Sequence, residues 1–217
     1  LLVSMAACTG TAPAATTAAA AETTAAAETE ASEASAETEA GKTYTVGICQ
    51  LVQHPALDAA TQGFKDALTE ALGDAVSFNE QNASGESVNC ATIVNGLVAS
   101  QVDLILANAT APLQAAASAT ADIPVLGTAV TDYASALEID NWTGTVGGNI
   151  SGTSDLAPLD QQAAMLQELF PDAKTVGLLY CSAEANSKYQ VDMIRGYLEQ
   201  AGLTLSLIHI SEPPRQE

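Results

Sequence analysis

The chain has 217 residues, of which 26 are acidic and 6 are basic, so its formal net charge is −20. This balance argues against a nucleic acid partner and against a polybasic membrane-binding surface, because both depend on clustered Lys and Arg. Four Cys and two His without a CxxC pair argue against a structural zinc site, and no run of 18 apolar residues occurs.

The first residues have the composition of an export signal. Residues 1–3 form a short apolar run, and the small residues Ala6 and Ala7 lead to Cys8. This pattern resembles the end of a bacterial lipoprotein signal peptide. We therefore predict that residues 1–8 end a signal peptide and that Cys8 is lipidated. A buried strand with an ordinary cysteine is the alternative.

The next segment, residues 9–41, consists almost wholly of Ala, Thr, Glu and Ser, with no aromatic residue and no Leu, Ile or Val. Such a segment buries too little apolar surface to offset the entropy of ordering it. It holds six Glu and no Lys or Arg, which leaves a net charge of −14 on residues 42–217. We predict a disordered Ala/Thr/Glu tether that lifts a folded domain off a membrane.

From Tyr44 onward, short apolar runs alternate with segments of helical periodicity. The predicted strands lie at 46–52, 75–78, 102–107 and 123–130. The predicted helices cover about 57–72, 88–98 and 111–121. Because the strands are continuous apolar runs separated by helices, we predict an α/β fold with a doubly wound parallel sheet. We assign residues 42–150 to a first α/β lobe.

A second block of the same kind follows a glycine-rich stretch. The glycines gather at 144–152, where we predict a crossing between two lobes. A helix is predicted over 159–170 and a strand at 175–180. Ser187, followed three residues later by Gln190, resembles a capping box and predicts that the next helix starts there.

The end of the chain changes character after one more predicted strand, which starts at Leu203. Residues 151–205 hold one and a half strand–helix units, so we predict a partial second lobe. The apolar pattern then gives way to SEPPRQE at 211–217. We interpret residues 206–217 as an artefactual tail, out-of-frame or adapter-derived, of a truncated gene. A naturally frayed terminus is the alternative.

Polar side chains follow the predicted strands. In open parallel sheets, ligands bind at the carboxyl ends of strands, beside helix N-termini. The candidate ligand-binding residues there are His54, Asp58, Asn108, Thr110, Thr131, Asp132, Ser154, Asp155, Asn186 and Ser187. Hydroxyls and helix-terminal N–H groups suit a carboxylate and Asp suits an ammonium group, so the set predicts a site for a small zwitterion. Taken singly, these residue types equally cap helices or form turns.

An ordered set of motifs is similar to one protein family. The segment GICQLVQHPALDAA at 47–60 resembles the opening of the ABC transporter substrate-binding lipoprotein family linked to aromatic amino-acid uptake. The further matching segments, in order, are VDLI at 102–105, DIPV at 122–125, AVTD at 129–132, GTVGGNISG at 144–152, ELFP at 168–171 and EANS at 184–187. The resemblance covers about residues 44–205.

This resemblance implies a periplasmic-binding-protein-like fold in which two α/β lobes, joined by a hinge, close over a ligand. It places the binding groups in the loops after the strands, at the ten candidate residues above. It also implies an extracytoplasmic lipoprotein held at the bacterial cell membrane, an ABC permease as its partner, and a small solute such as an amino acid as its ligand. Aromatic amino acids are the first to consider. No cofactor, metal or nucleic acid is expected.

Two alternatives stay open. The first is a sugar-binding or sensory lipoprotein on the same fold, although sugar pockets rely on aromatic platforms and aromatic residues make up 4% of this chain. The second is an α/β enzyme, but neither GxGxxG after the first strand nor a Gly-x-Ser-x-Gly motif occurs. We expect no enzyme and no catalytic residues, and we expect Cys49, Cys90 and Cys181 to be free thiols.

Overall fold

The computed structural model of the chain describes residues 41–211, over which strands and helices alternate. The strands are β1 (Tyr44–Gln50), β2 (Val76–Asn82), β3 (Leu104–Asn108), β4 (Val125–Val130), β5 (Ile150–Ser154), β6 (Thr175–Cys181) and β7 (Thr204–Ile210). The helices are α1 (Pro55–Leu72), α2 (Ser87–Ala99), α3 (Thr110–Ala119), α4 (Tyr133–Ala136), α5 (Leu159–Leu169) and α6 (Ala185–Gln200). The predicted lipidation at Cys8 and the predicted tether up to residue 40 lie outside the described residues.

The strands form two parallel sheets. The larger sheet has five strands in the order β2-β1-β3-β4-β5, and β6 pairs with β7 in a separate two-stranded sheet. Each connection between successive strands of the larger sheet contains a helix, as parallel pairing requires. The predicted α/β fold with a parallel sheet is confirmed.

The larger sheet is covered by helices on both faces. On one face, Ile105 belongs to a buried cluster with Val94 of α2 and Leu113 of α3. On the other face, Ile48 belongs to a cluster that packs against Phe64 of α1. Because successive side chains of a strand point to opposite faces, continuous apolar strands supply two cores at once. This is the doubly wound arrangement predicted from the strand sequences.

One strand of the larger sheet was not predicted. Residues 150–154 overlap the end of the lobe crossing predicted at 144–152, but they form β5 and pair in parallel with β4. The strand has the sequence ISGTS, in which Ile150 is the only large apolar side chain, so it lacks the apolar pattern of the other strands. The larger sheet therefore extends past residue 150. The division into lobes over 42–150 and 151–205 stays a prediction. Strand β5 pairs with β4, which belongs to the first of these ranges.

The second block differs from prediction at its last helix. Helix α6 begins at Ala185 with Glu184 as its N-cap, so the predicted capping box at Ser187 is wrong. The hydroxyl of Ser187 instead donates a hydrogen bond to Glu184 Oε2 at 2.8 Å. Residues 206–210, within the predicted tail, belong to β7 and pair with β6. The origin of the tail stays a prediction.

The three cysteines of the described region are free, as predicted, and all three are buried. Cys49 on β1 and Cys90 on α2 belong to the same core cluster. A hydrogen bond with Cys90, together with burial, raises the pKa of the Cys49 thiol, so this group stays protonated. Over residues 41–211, no helix is both long and apolar enough to cross a lipid bilayer.

Candidate functional site

The carboxyl ends of three strands lie side by side at one edge of the larger sheet. Gln50 ends β1 and pairs in register with Asn108, which ends β3. Asn108 in turn pairs with Thr128 of β4. The loops that follow these strands therefore start from one edge, which is the place where open parallel sheets bind ligands.

The loop after β1 leads directly into α1. His54 is the N-cap of this helix, and its Nδ1 accepts a hydrogen bond from the backbone N–H of Ala56 at 3.2 Å. Pro55 begins the helix, where its missing N–H has no intrahelical partner to lose. His54 thus acts as a helix cap, and a role in ligand binding stays a prediction for it.

Asp58, in the first turn of α1, is exposed but tied to a buried network. Gln50 Nε2 donates to Asp58 Oδ1 at 2.6 Å, and Gln50 Oε1 accepts from the hydroxyl of Thr61 at 2.7 Å. Asn108 Nδ2 donates to the Thr61 oxygen at 2.9 Å. The network joins two predicted residues, Asp58 and Asn108, through Gln50 and Thr61. These last two were not predicted, because a buried polar residue at a strand end or on a helix has no local sequence signature.

Asn108 and Thr110 flank a strained residue. Asn108 is fully buried, and its Nδ2 also donates to the carbonyl of Leu57 at 2.8 Å. Its Oδ1 is buried without a hydrogen-bond partner in the described part of the chain. Ala109 has a φ of 106°, a backbone conformation that L-residues rarely adopt, and Thr110 then begins α3. Backbone strain and unpaired buried polar atoms concentrate at functional sites.

The loop after β4 is joined to the end of β5. Ser154 Oγ donates to the carbonyl of Thr131 at 2.8 Å. Asp132 is the N-cap of α4 and accepts from the N–H of Ser135 at 2.7 Å, so it has the structural role of a helix cap. Asp155 directly follows β5. These four predicted residues lie together at the β4–β5 part of the edge.

The pKa values of two tyrosines are affected by the acidic residues of this edge. Burial raises the pKa of the Tyr133 phenol to about 12, and the nearby carboxylate of Asp155 adds to the shift. Burial also raises the pKa of Tyr189 in α6, with a smaller contribution from Asp132. Asp132 of the first block therefore lies close to a helix of the second block.

A cleft of about 340 Å³ opens where the first turns of α2, α3 and α6 meet. The residues that line it are Leu51, Gly85, Glu86, Ser87, Val88, Thr110, Ala111, Gln114, Ala183, Glu184, Ala185, Asn186 and Ser211. The first turn of a helix carries backbone N–H groups without intrahelical partners and the positive end of the helix dipole. The cleft is therefore suited to an anionic group such as a carboxylate.

Two carboxylates line the same cleft from different blocks. Glu86 is the N-cap of α2 and Glu184 is the N-cap of α6, and neither side chain caps its helix with a hydrogen bond. The lining residues include no Lys or Arg. Acceptors for a cationic group thus lie beside donors for an anionic one, as a zwitterion requires. Neither Glu is among the ten predicted residues. Ser, Thr, Asp and Asn are the preferred N-cap residues, so a Glu just before a helix gives little signal in the sequence.

The ten predicted residues fall into three groups. Thr110 and Asn186 line the cleft, and Ser187 contacts the lining residue Glu184. The other seven lie outside the lining of the cleft, along the β1–β3 and β4–β5 parts of the edge: His54, Asp58, Asn108, Thr131, Asp132, Ser154 and Asp155. Their roles in ligand binding stay predictions. Within residues 41–211, no group of three or more His, Cys, Asp or Glu is arranged to hold a metal ion.

The sequence of residues 45–213 matches a family described as ABC transporter substrate binding protein. The chain belongs to this family. The predicted family resemblance is thereby confirmed, and the family is one of substrate-binding proteins rather than enzymes, as predicted.

A tyrosine-binding protein of Clostridioides difficile is 39% identical over 165 residues, which cover 75% of this chain and 48% of that protein. The crystal structure of an ABC domain in complex with L-Trp from Streptococcus pneumoniae is 38% identical and superposes with a TM-score of 0.73. A conserved domain protein from Vibrio cholerae is 32% identical and has the same TM-score. Each of these two structures covers 78% of this chain, which spans 58% of their length. The chain thus spans about half the length of the relatives that it matches.

Proposed function

We propose that this chain is a ligand-binding part of an ABC importer and that it binds an amino acid, preferably an aromatic one. The observation that carries the proposal is the meeting of three helix N-termini and two carboxylates around one cleft of about 340 Å³. Membership of the family supports the class of protein. A relative named for tyrosine binding and another in complex with L-Trp support an aromatic amino acid as the ligand.

The carboxylate of the ligand binds at the first turns of α2, α3 and α6. The backbone N–H groups there donate to its oxygens, and the hydroxyl of Thr110 and the amide of Asn186 supply side-chain donors. Thr110 is 6% exposed at the start of α3, so its side chain is already packed before a ligand arrives. Binding therefore orders few additional side chains, which favours affinity.

The ammonium group of the ligand binds to carboxylates. Glu86 and Glu184 approach the cleft from the two blocks, and a ligand that reaches both would hold the blocks together. Ser187 donates to Glu184 Oε2, which fixes one oxygen of this carboxylate. Charge-assisted hydrogen bonds of this kind are about twice as strong as neutral ones. Asp58, at the neighbouring part of the edge, is a further acceptor for the ammonium group.

We further propose that the protein acts outside the cytoplasm, anchored by a lipid on Cys8, and delivers its ligand to an ABC permease. The composition of residues 1–41 and the family of the chain support this arrangement. Labelling of the protein with a radioactive fatty acid in a bacterial host tests the anchor. Incorporation that is lost in Cys8→Ala is expected, and unchanged incorporation in that variant would contradict the proposal.

Isothermal titration calorimetry of the 217-residue chain tests the ligand. We expect tyrosine or tryptophan to bind with a stoichiometry of one, and leucine, ribose and glucose to bind more weakly. Thr110→Val is the variant that should weaken binding, and Thr92→Val, on the exposed face of α2, is its matched control. Binding of a sugar in preference to every amino acid would favour the sugar-binding alternative and reject the proposal.

A further inference from the structure

Gln50 is a buried amide whose hydrogen-bonding groups are all engaged. It ends β1 and is 4% exposed. Its Nε2 donates to the carbonyl of Val52 at 2.9 Å and to Asp58 Oδ1 at 2.6 Å. Its Oε1 accepts from the hydroxyl of Thr61 at 2.7 Å and, more weakly, from Asn108 Nδ2 at 3.4 Å. A side chain held at four points has one orientation.

The hydrogen bond to Asp58 differs from the other three because it joins the buried Gln50 side chain to an exposed residue. Asp58 is exposed, so water would satisfy its carboxylate without help from the protein. The buried amide nevertheless donates to it at 2.6 Å, a short distance of the kind found when the acceptor is charged. The bond holds Oδ1 of Asp58, and no hydrogen bond within residues 41–211 engages Oδ2. Fixing one oxygen of an exposed carboxylate fixes the direction of the other.

The same amide connects Asp58 to the loop that precedes the cleft. Gln50 and Thr61 both contact Asn108, the residue before the strained Ala109, and Thr110 in the cleft follows next. The position of Asp58 is therefore set by the strand ends that also set the position of Thr110. The network that holds Asp58 thus also fixes Asn108, two residues before Thr110 in the chain.

We propose that Gln50 is a positioning residue of the ligand site, which orients the Asp58 carboxylate so that its second oxygen accepts a hydrogen bond from the ammonium group of the ligand. This inference rests on the proposed function as an amino-acid-binding protein. Gln50 itself does not touch the ligand. Its contribution to affinity passes through Asp58, and this route makes it distinguishable from a residue that only stabilises the fold.

A double-mutant cycle on the 217-residue chain tests the proposal, with tyrosine as the probe and calorimetry as the measurement. Gln50→Met keeps the size of the side chain and removes its hydrogen bonds, and Asp58→Ala removes the carboxylate. We expect each to raise Kd by roughly tenfold, the effect of losing a hydrogen bond to a charged group. The double variant should bind no more weakly than Asp58→Ala. A double variant whose increase in Kd equals the product of the two single increases would overturn the proposal.

Gln62→Met is the matched control, because it removes a 2.6 Å hydrogen bond from an exposed amide to the carboxylate of Asp66 on the same helix, outside the Gln50 network. Its Kd should stay within about twofold of the wild-type value even if the protein is less stable. If Gln50→Met does not fold, Gln50→Glu replaces it, since this variant keeps an acceptor for Thr61 and sets a like charge against Asp58. Wild-type affinity in Gln50→Glu would equally overturn the proposal.

Nuclear magnetic resonance separates the two ways in which this test can fail. The side-chain amide signals of Gln50, recorded without ligand, should move on Asp58→Ala and stay in place on Asp66→Ala, an exposed carboxylate of the same helix. If the wild-type chain binds tyrosine and the effects of Gln50→Met and Asp58→Ala on Kd multiply in the double variant, only the proposed role of Gln50 is wrong. If it binds no amino acid while the amide signals move as expected, the proposed function is wrong and the role of Gln50 in ligand binding falls with it.

Discussion

The hydroxyl of Tyr133 lies against the backbone of Gly152, in the space that a side chain at position 152 would occupy. Tyr133 belongs to α4 and Gly152 to β5, the edge strand of the larger sheet. The same hydroxyl donates to the carbonyl of Thr153 at 3.3 Å, and it also lies against Gly127 of β4. One phenol and two glycines therefore hold β5 beside β4.

Gly152→Ala should destabilise the protein severely. A Cβ at this position would overlap the Tyr133 hydroxyl and the backbone of Gly127, and the φ of 156° is unfavourable for L-residues. We expect a loss of more than about 3 kcal/mol in the free energy of unfolding, measured by urea denaturation with circular dichroism. The matched control is Gly63→Ala, where a Cβ meets nothing within 4 Å in the middle of α1.

Gly63→Ala should leave the protein unchanged or stabilise it by up to about 1 kcal/mol, because alanine favours the helix. Equal losses at Gly152 and Gly63 would contradict the close packing of Tyr133 on β5. So would a wild-type urea midpoint for Gly152→Ala.

Tyr133→Phe should change how stability depends on pH. Burial raises the pKa of the folded phenol from 10.0 to about 12, so the unfolded chain loses this proton first as the pH rises. The contribution of the neutral phenol to stability is fully present below pH 10 and is lost as the pH rises from about 10 to 12. The loss is roughly 2 to 3 kcal/mol, and Tyr133→Phe should not show it.

Urea denaturation of both proteins at several values of pH between 8 and 12 measures this difference. Subtracting the two curves removes the other groups that titrate in both proteins. The wild type should be more stable than the variant at pH 8 by about 1 kcal/mol, from the hydrogen bond to Thr153, and should become less stable than the variant by about 1 to 2 kcal/mol near pH 12. Parallel curves over the whole range would show that the phenol is not buried as described.

Ala109→Gly should be tolerated or stabilising, although glycine usually destabilises a folded protein. Ala109 has a φ of 106° and a ψ of 172°, a region in which glycine has little strain. The relief of strain, about 1 to 3 kcal/mol, should match or exceed the loss of a buried methyl group. Ala116→Gly, in the middle of α3, is the control and should cost about 1 kcal/mol or more. Thermal denaturation measures the stability of both variants. A lower melting temperature for Ala109→Gly than for Ala116→Gly would contradict the strain at Ala109.

Thr61→Val should destabilise the protein because it removes one hydrogen bond from each of two buried amides. Thr61 is 3% exposed, donates to Gln50 and accepts from Asn108. We expect a loss of about 1 to 3 kcal/mol in the free energy of unfolding, the cost of an unsatisfied buried polar group. Thr92→Val is the control, since the Thr92 hydroxyl bonds only the carbonyl of Val88 on an exposed turn of α2. Equal stabilities of the two variants in urea would show that the network contributes nothing.

Glu184→Gln should weaken the binding of tyrosine by roughly tenfold, because it removes a negative charge from the cleft. The des-amino analogue of tyrosine has no ammonium group, so its affinity should be the same in the variant and the wild type. Glu70→Gln, on the exposed surface of α1, is the control and should bind both ligands as the wild type does. If calorimetry finds that Glu184→Gln lowers the affinity for both ligands equally, a contact between Glu184 and the ammonium group is contradicted.

The predicted central strands β1 and β3 and the missed strand β5 differ in burial. The sequences of β1 and β3 are continuous apolar runs because both strands lie inside the sheet with helices on both faces. The edge strand β5 has four exposed residues out of five, so its sequence needs no apolar pattern. Its pairing depends instead on β4 and on the contact between Tyr133 and Gly152, neither of which is local in sequence.

The candidate site divides in a similar way. Its edge could be predicted because the carboxyl ends of parallel strands always meet, and this places Asn108 beside Gln50. The interior of the site could not be predicted, since the hydrogen bond that Ser187 donates to Glu184 depends on α6 starting at Ala185. A one-turn difference in the start of a helix changes which side chains face a cleft, and caps without Ser, Thr, Asp or Asn leave little trace in a sequence.

The sequence by itself determined the alternation of buried strands and amphipathic helices, and hence the parallel α/β sheet, because apolar periodicity reflects burial directly. Only the tertiary structure decided that the first turns of α2, α3 and α6, which begin at Ser87, Thr110 and Ala185, meet around one cleft. These turns are up to about one hundred residues apart in the chain. Their meeting depends on strand order and crossover geometry, which no local pattern of residues encodes.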